Sequence, residues 1–197
     1  MADPSPFFLI LASGSPRRKD LLADLNLEFK IIPTEIPEIP CPEETARSFS
    51  RRMARRKTEL VSSFYPHNWV LGADTVVVLE KQIFGKPEHS RQAKKFLQSL
   101  SGKTHQVITS FCLLNRAEKK TVTVSVSTRV TFKSLSAQEI NWYIRTGEPL
   151  DKAGAYAIQG KGAFCVEKIQ GSYTNVVGLP VTEVLEALKK HAGLRLL

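Results

Sequence analysis

A chain of 197 residues is long enough for a substantial core and points to one domain over residues 1–197. Its 42% hydrophobic and 24% charged composition is that of a soluble globular protein, and no apolar run is long enough to cross a bilayer. A net charge of +9 favours an anionic partner, whether nucleic acid, membrane surface or phosphorylated small molecule. Cys41, Cys112 and Cys165 are widely spaced and form no CxxC pair, so neither a disulfide framework nor a zinc site is indicated. Reduced cytoplasm is the expected compartment. The start Met1–Pro6 has no basic segment, and the apolar run Phe7–Leu11 is too short for a secretory signal.

In chain order, Phe7–Ala12 predicts a first buried strand. Ser13-Gly14-Ser15-Pro16 turns into a helix, with Ser15 suited to the N-cap and Pro16 to the first helical position. Leu21, Leu22 and Leu25 supply that helix's apolar side, and Phe29–Ile32 is a short second strand. Pro33, Pro37, Pro40 and Pro42 make the next stretch an irregular connector. A long helix is expected from Glu43 to Phe64. Val70–Leu79 reads as a strand buried on both faces, followed by a hairpin return or loop at Gln82–Pro87 and a helix over Glu88–Leu100. Thr104–Leu114 is a further buried strand. Thr121–Phe132 alternates apolar and polar residues, which predicts one wet face and antiparallel pairing. Ser136 and Glu139 form a capping box for a helix to about Thr146. Gly147–Ala163 is expected to loop, Phe164–Ile169 to be a late strand, and Val181, Val184, Leu185 and Leu188 to mark a closing helix. The sum is an α/β fold with a mixed β-sheet.

Asp74 interrupts the apolar run Val70–Leu79. A carboxylate there is costly unless a cation, donor or water meets it. Placed at the carboxyl end of a central strand, it is either a site residue or a capped carboxylate closing a turn after Gly72. Arg17 and Arg18 stand in a first helical turn, where they oppose the helix dipole; that placement makes sense if an anion sits there, with Ser13 and Ser15 beside it. On the long helix, Ala46, Phe49, Met53, Leu60 and Phe64 form an apolar stripe that also contains Lys57. Lys57 either snorkels past its neighbours or reaches into an anion pocket. Arg51, Arg52, Arg55 and Arg56 fall on the other, solvated side. Lys86, in Gly85-Lys86-Pro87, suits a mobile phosphate contact. In the small-residue stretch Asp151–Ala163, Gln159 can donate to and accept from a base edge. Walker, GxGxxG and GxSxG motifs are absent, and the histidines show no metal spacing.

Taken together, Ser13–Arg18, Gly72–Val77, Gly85–Pro87, Asp151–Gly160 and Asn175–Pro180 resemble, in order, the motifs of the Maf family, the septum-formation-associated nucleoside triphosphate pyrophosphatases. The resemblance implies an elongated two-lobed α/β domain similar to the inosine triphosphate pyrophosphatases, with a substrate cleft between the lobes. It implies hydrolysis of a nucleoside triphosphate to monophosphate and pyrophosphate with Mg²⁺ or Mn²⁺, and a homodimer. By the same resemblance Ser13, Ser15, Arg17, Arg18 and Gln159 bind substrate, and Asp74, Lys86 and Lys57 are catalytic. Asp74 and Glu38 are the implied metal ligands, Glu38 being preferred over Glu35, with Asp74 as base, ligand or both. The Ala157–Ala163 stretch looks like the members acting on dTTP, UTP and modified pyrimidine nucleotides, a house-cleaning role. The alternatives are a 7-methyl-GTP or non-standard purine pyrophosphatase, or a non-enzymatic nucleic-acid-binding or cell-division partner protein. The nucleic-acid reading lacks interleaved exposed aromatics, a helix-turn-helix and RNP-like strands, so neither a stable nucleic-acid partner nor a membrane is expected.

Overall fold

The computed structural model describes residues 8–194; Phe7 and the segment Met1–Pro6 lie outside the described residues. The strands are β1 (Leu9–Leu11), β2 (Phe29–Ile31), β3 (Trp69–Leu79), β4 (Gln82–Phe84), β5 (Thr104–Asn115), β6 (Lys120–Phe132) and β7 (Val166–Gln170). The helices are α1 (Pro16–Ala23), α2 (Ala46–Ser62), α3 (Ser90–Leu100), α4 (Ala137–Arg145), α5 (Tyr173–Val177) and α6 (Val181–Ala192). The sheet runs β2-β1-β3-β5-β6-β7, with β4 paired to β3. It is mixed, as expected: β1 is parallel to β2 and β3, while β3–β4 and β6–β7 are antiparallel. Among the described residues no helix is long and apolar enough to cross a membrane.

The chain divides into two compact units. The first holds the chain up to Asp74, Ser110–Ser125 and the chain from Gly178 onward. Its sheet is covered on both faces. Leu9, Leu11 and Leu71 pack with Leu22 of α1 and with Val184 and Leu188 of α6, while Ile10, Ala12 and Val70 pack with Val61 of α2. Burial on both sides explains why β1 and the start of β3 read as continuous apolar runs.

Thr45 caps α2 by accepting from Ser48 N–H. The helix buries Phe49, Met53, Lys57 and Val61, but Leu60 and Phe64 are 43% and 76% exposed, against the expected stripe. Steps of four residues lead from Lys57 to Val61, and Phe64 lies beyond the helix end. Of the α2 arginines, Arg51, Arg55 and Arg56 are exposed, as expected, and Arg52 is half-buried. Arg51 donates to the Thr123 carbonyl, Arg52 makes a two-point pair with Glu44, and Arg55 pairs with Glu59.

Two details fix α2 against the sheet. A Cβ on Gly72 would lie 2.3 Å from Thr58 Oγ1 and 2.9 Å from the Ala54 carbonyl, so the missing side chain is what lets helix and strand approach. Beyond it, three serines join three elements. Ser50 of α2 lies 2.7 Å from Ser110 of β5, which lies 2.8 Å from Ser125 of β6. The Ser50 hydroxyl donates to the Arg47 carbonyl, and Arg51 reaches Ser125 Oγ.

The second unit comprises Thr75–Thr109 and Val126–Val177. Its core joins Val77, Phe84, Leu97, Val107, Phe132 and Tyr143. The glycine-rich stretch is no open loop but three short 3₁₀ turns, Glu148–Asp151, Ala153–Ala155 and Gly160–Cys165. The capping box of α4 is present as predicted. The alternation in β6 holds only from Ser127 onward; Val122 to Val126 are partly buried whichever way they point. In that half Arg47 and Arg51 lie over the backbone of the strand's polar residues, donating to the Ser125 and Thr123 carbonyls.

Candidate active site

The pleat of β3 places Val70, Gly72 and Asp74 on one face, against α2. Asp74 is the sixth of eleven strand residues, not at the carboxyl end as its place in the apolar run suggested. It is 4% exposed, and Lys57, 6% exposed, meets it: Nζ donates to Asp74 Oδ1 at 2.7 Å. The sequence left Lys57 between two readings; it does not snorkel to solvent. A second carboxylate, Glu38 Oε1 from the proline-rich connector, lies 2.7 Å from the same Nζ. Glu35 is exposed. One ammonium therefore bridges two carboxylates.

Burial pushes the Asp74 carboxyl above its ordinary value, and Glu38 adds to the rise; Lys57 and Arg18 oppose it without cancelling it. A buried acid whose pKa is raised is a stronger base than an ordinary carboxylate and is suited to accept a proton.

Arg18 joins this cluster. Burial lowers its pKa, while the charges of Asp74 and Glu38 work to raise it and Arg17 to lower it. Its Nε donates to the Gly178 carbonyl at 2.8 Å and its Nη1 to Ser13 Oγ at 3.1 Å. Ser13 Oγ also accepts from Ser15 N–H, so the two serines brace the turn into α1. Ser15 occupies the N-cap and Pro16 the first turn, but the Ser15 hydroxyl makes no capping bond. Arg17 and Ser15 are half-buried at the same helix start. Thus Ser13, Ser15, Arg17, Arg18, Glu38, Lys57 and Asp74 all belong to the first unit.

Lys86 and Gln159 belong to the second unit, and both are exposed. The segments that carry them are tied together by Gly154 N–H donating to the Gly85 carbonyl at 3.0 Å. No heavy atom outside its chain neighbours lies within 4 Å of a Cβ built on Gly85, so no close approach within the protein requires glycine there. The stretch before Gln159 is fixed by Tyr156, whose hydroxyl lies 2.8 Å from His105 Nε2. The stretch after it is fixed by Glu148, which accepts from Tyr143 O–H, Lys161 N–H and Gly162 N–H. Burial raises the Glu148 carboxyl, but these donors outweigh burial and hold it below its usual value.

Sequence reasoning did not find Glu148 or the Gly178 carbonyl. Glu148 lay in a stretch read as a loop. Gly178 has φ +130°, a conformation that favours glycine, and its signal in the sequence was its place in Asn175–Pro180.

The profile described as Maf-like protein matches residues 8–191. A dTTP/UTP pyrophosphatase of Myxococcus xanthus is 50% identical over 188 residues, 95% of this chain and 94% of that protein. The dTTP/UTP pyrophosphatase of Geobacter sulfurreducens is 46% identical, over 94% of this chain and 97% of that one. Among solved structures, the Staphylococcus aureus Ham1 protein has the same fold, with TM-score 0.55 at 12% identity over 94% of this chain and 99% of that one. With a family profile spanning nearly all of its length and relatives near half identity, this chain belongs to the Maf-like protein family.

Proposed function

We propose that the protein hydrolyses nucleoside triphosphates to monophosphate and pyrophosphate, with dTTP, UTP and modified pyrimidine nucleotides as its substrates. The observation that carries the reading is the charge cluster in which buried Lys57 joins buried Asp74 to the exposed Glu38, with the partly buried Arg18 beside them. Relatives named dTTP/UTP pyrophosphatase at 46–50% identity over nearly the whole chain support the substrate class.

In this reading Arg17, Arg18 and Lys57 hold phosphate oxygens and offset the charge that develops on them, with Ser13 and Ser15 bracing the helix start. Lys86, on its exposed turn, adds a mobile point charge. Asp74 takes a proton from the attacking water as its oxygen bonds to phosphorus, and the anhydride bond breaks to release pyrophosphate. Gln159 reads the base edge.

The family resemblance also implies a divalent cation, and the residues fit one. Asp74 and Glu38 are hard oxygen donors that converge on one point. Among the described residues no cluster of three or more His, Cys, Asp or Glu could hold a metal. One or two carboxylates completed by water and substrate phosphate is the donor set that magnesium takes. When bound, the ion neutralises phosphate charge and polarises the phosphoryl group. Cytoplasmic location and a homodimer complete the proposal.

A pyrophosphate-release screen across dTTP, UTP, dCTP, 7-methyl-GTP and dITP, with Mg²⁺ and Mn²⁺ in parallel, tests it. Turnover centred on dTTP and UTP is expected. A preference for 7-methyl-GTP or dITP would overturn the substrate class, and no pyrophosphate from any nucleotide would overturn the reaction. Gln159→Ala should erode discrimination between dTTP and dCTP by about tenfold.

A further inference from the structure

The charges around Asp74 are balanced within the protein itself. Two carboxylates, Asp74 and Glu38, share the ammonium of Lys57 at 2.7 Å each, and the Arg18 guanidinium interacts with both carboxylates. A divalent ion entering this cluster meets two fixed cations and must compete with an ammonium already hydrogen-bonded to its ligands. Like-charge repulsion at such distances is stronger in a partly buried setting than in water. A triphosphate reverses the balance, because its oxygens offer Lys57 and Arg18 other partners.

We propose that Lys57 is a tethered competitor for the divalent cation: its ammonium holds Asp74 and Glu38 together in the free protein, and yields them to the metal only when a nucleoside triphosphate draws it away. This rests on the metal-dependent pyrophosphatase reading. Its consequence is an order of binding. Metal enters with or after the nucleotide, and the free protein is protected from idle occupation by divalent ions. Lys57 thereby has two successive partners, the carboxylates first and the phosphate second.

The test measures metal binding without turnover. Mn²⁺ is titrated into the free protein, and the unbound ion is followed by its electron paramagnetic resonance signal. Lys57→Met and Lys57→Gln, checked for folding by circular dichroism, should bind Mn²⁺ about tenfold more tightly than the wild type or better, and Lys57→Arg should bind as weakly as the wild type. Adding Asp74→Asn to Lys57→Gln should abolish the gain. Equal or weaker Mn²⁺ binding by a folded neutral variant overturns the proposal. A second measurement uses only the wild type. The ¹⁵N signal of the Lys57 ammonium should stay in place when Mg²⁺ alone is added and move when α,β-methylene-dTTP is added as well; movement with Mg²⁺ alone overturns the proposal. The two readings fail separately. Turnover without the Mn²⁺ gain removes the role of Lys57 as competitor, whereas the gain without turnover removes the pyrophosphatase assignment.

Discussion

Asp74 concentrates the chemistry in one side chain, and its environment makes opposite demands on it. Burial disfavours its charge and Lys57 favours it, with burial the larger effect. Because its folded pKa lies above the ordinary 3.8, the folded state is favoured by the protonated form, and that part of the stability is lost as pH rises through the folded value. Two outcomes follow for Asp74→Asn. Pyrophosphate release should fall by about 10²–10⁴-fold, while the melting temperature at neutral pH should equal or exceed that of the wild type. In the wild type, the acid limb of kcat/KM should lie above the ordinary carboxylate range, and in Lys57→Met the residual activity should lose its acid side at still higher pH. The carboxylate and the lysine were legible as residues out of place, a charge in an apolar strand and a cation on an apolar stripe. Their meeting was not legible, because no local pattern says which residue of α2 lies over which residue of β3.

That register is an element-scale property, and Gly72 sets it. Gly72→Ala should cost about 3 kcal/mol in urea unfolding, since the new methyl meets Thr58 Oγ1 at 2.3 Å. Adding Thr58→Ala should recover only part, because the Ala54 carbonyl at 2.9 Å and the Thr58 backbone nitrogen at 3.0 Å remain. Full recovery would mean that the hydroxyl alone sets the spacing. Helices and strands with strong periodicity or caps, such as α4 with its Ser136–Glu139 box, were legible from the chain. The 3₁₀ turn Gly160–Cys165 was not, because the Glu148 carboxylate holds it through backbone N–H groups that leave no mark on the sequence.

Over the whole molecule, the mixed α/β sheet followed from buried apolar runs alternating with helical segments. Acid sensitivity is a global readout of a residue that the sequence did not single out. Burial pushes His105 down from 6.5 to about 4, so it stays neutral in the folded protein where the unfolded chain takes up a proton. Its contribution is present in full above pH 6.5 and is lost as pH falls towards 4, at up to about 1.4 kcal/mol per pH unit. His105→Gln should flatten the decline of the urea midpoint across that window; an unchanged slope would place the acid sensitivity elsewhere. Glu148, whose folded pKa is depressed below 4.5, adds a further loss at lower pH.

Proton counting gives the serine row a direction. Ser50 spends its only hydrogen on the Arg47 carbonyl, so Ser110 must donate to Ser50, and Ser125 to Ser110. The hydroxyls therefore form a one-way relay that starts at the Arg51 guanidinium and ends at a peptide oxygen. Cutting it in the middle, at Ser110, strands a donor on one side and an acceptor on the other, whereas trimming Ser50 takes the acceptor from Ser110 alone.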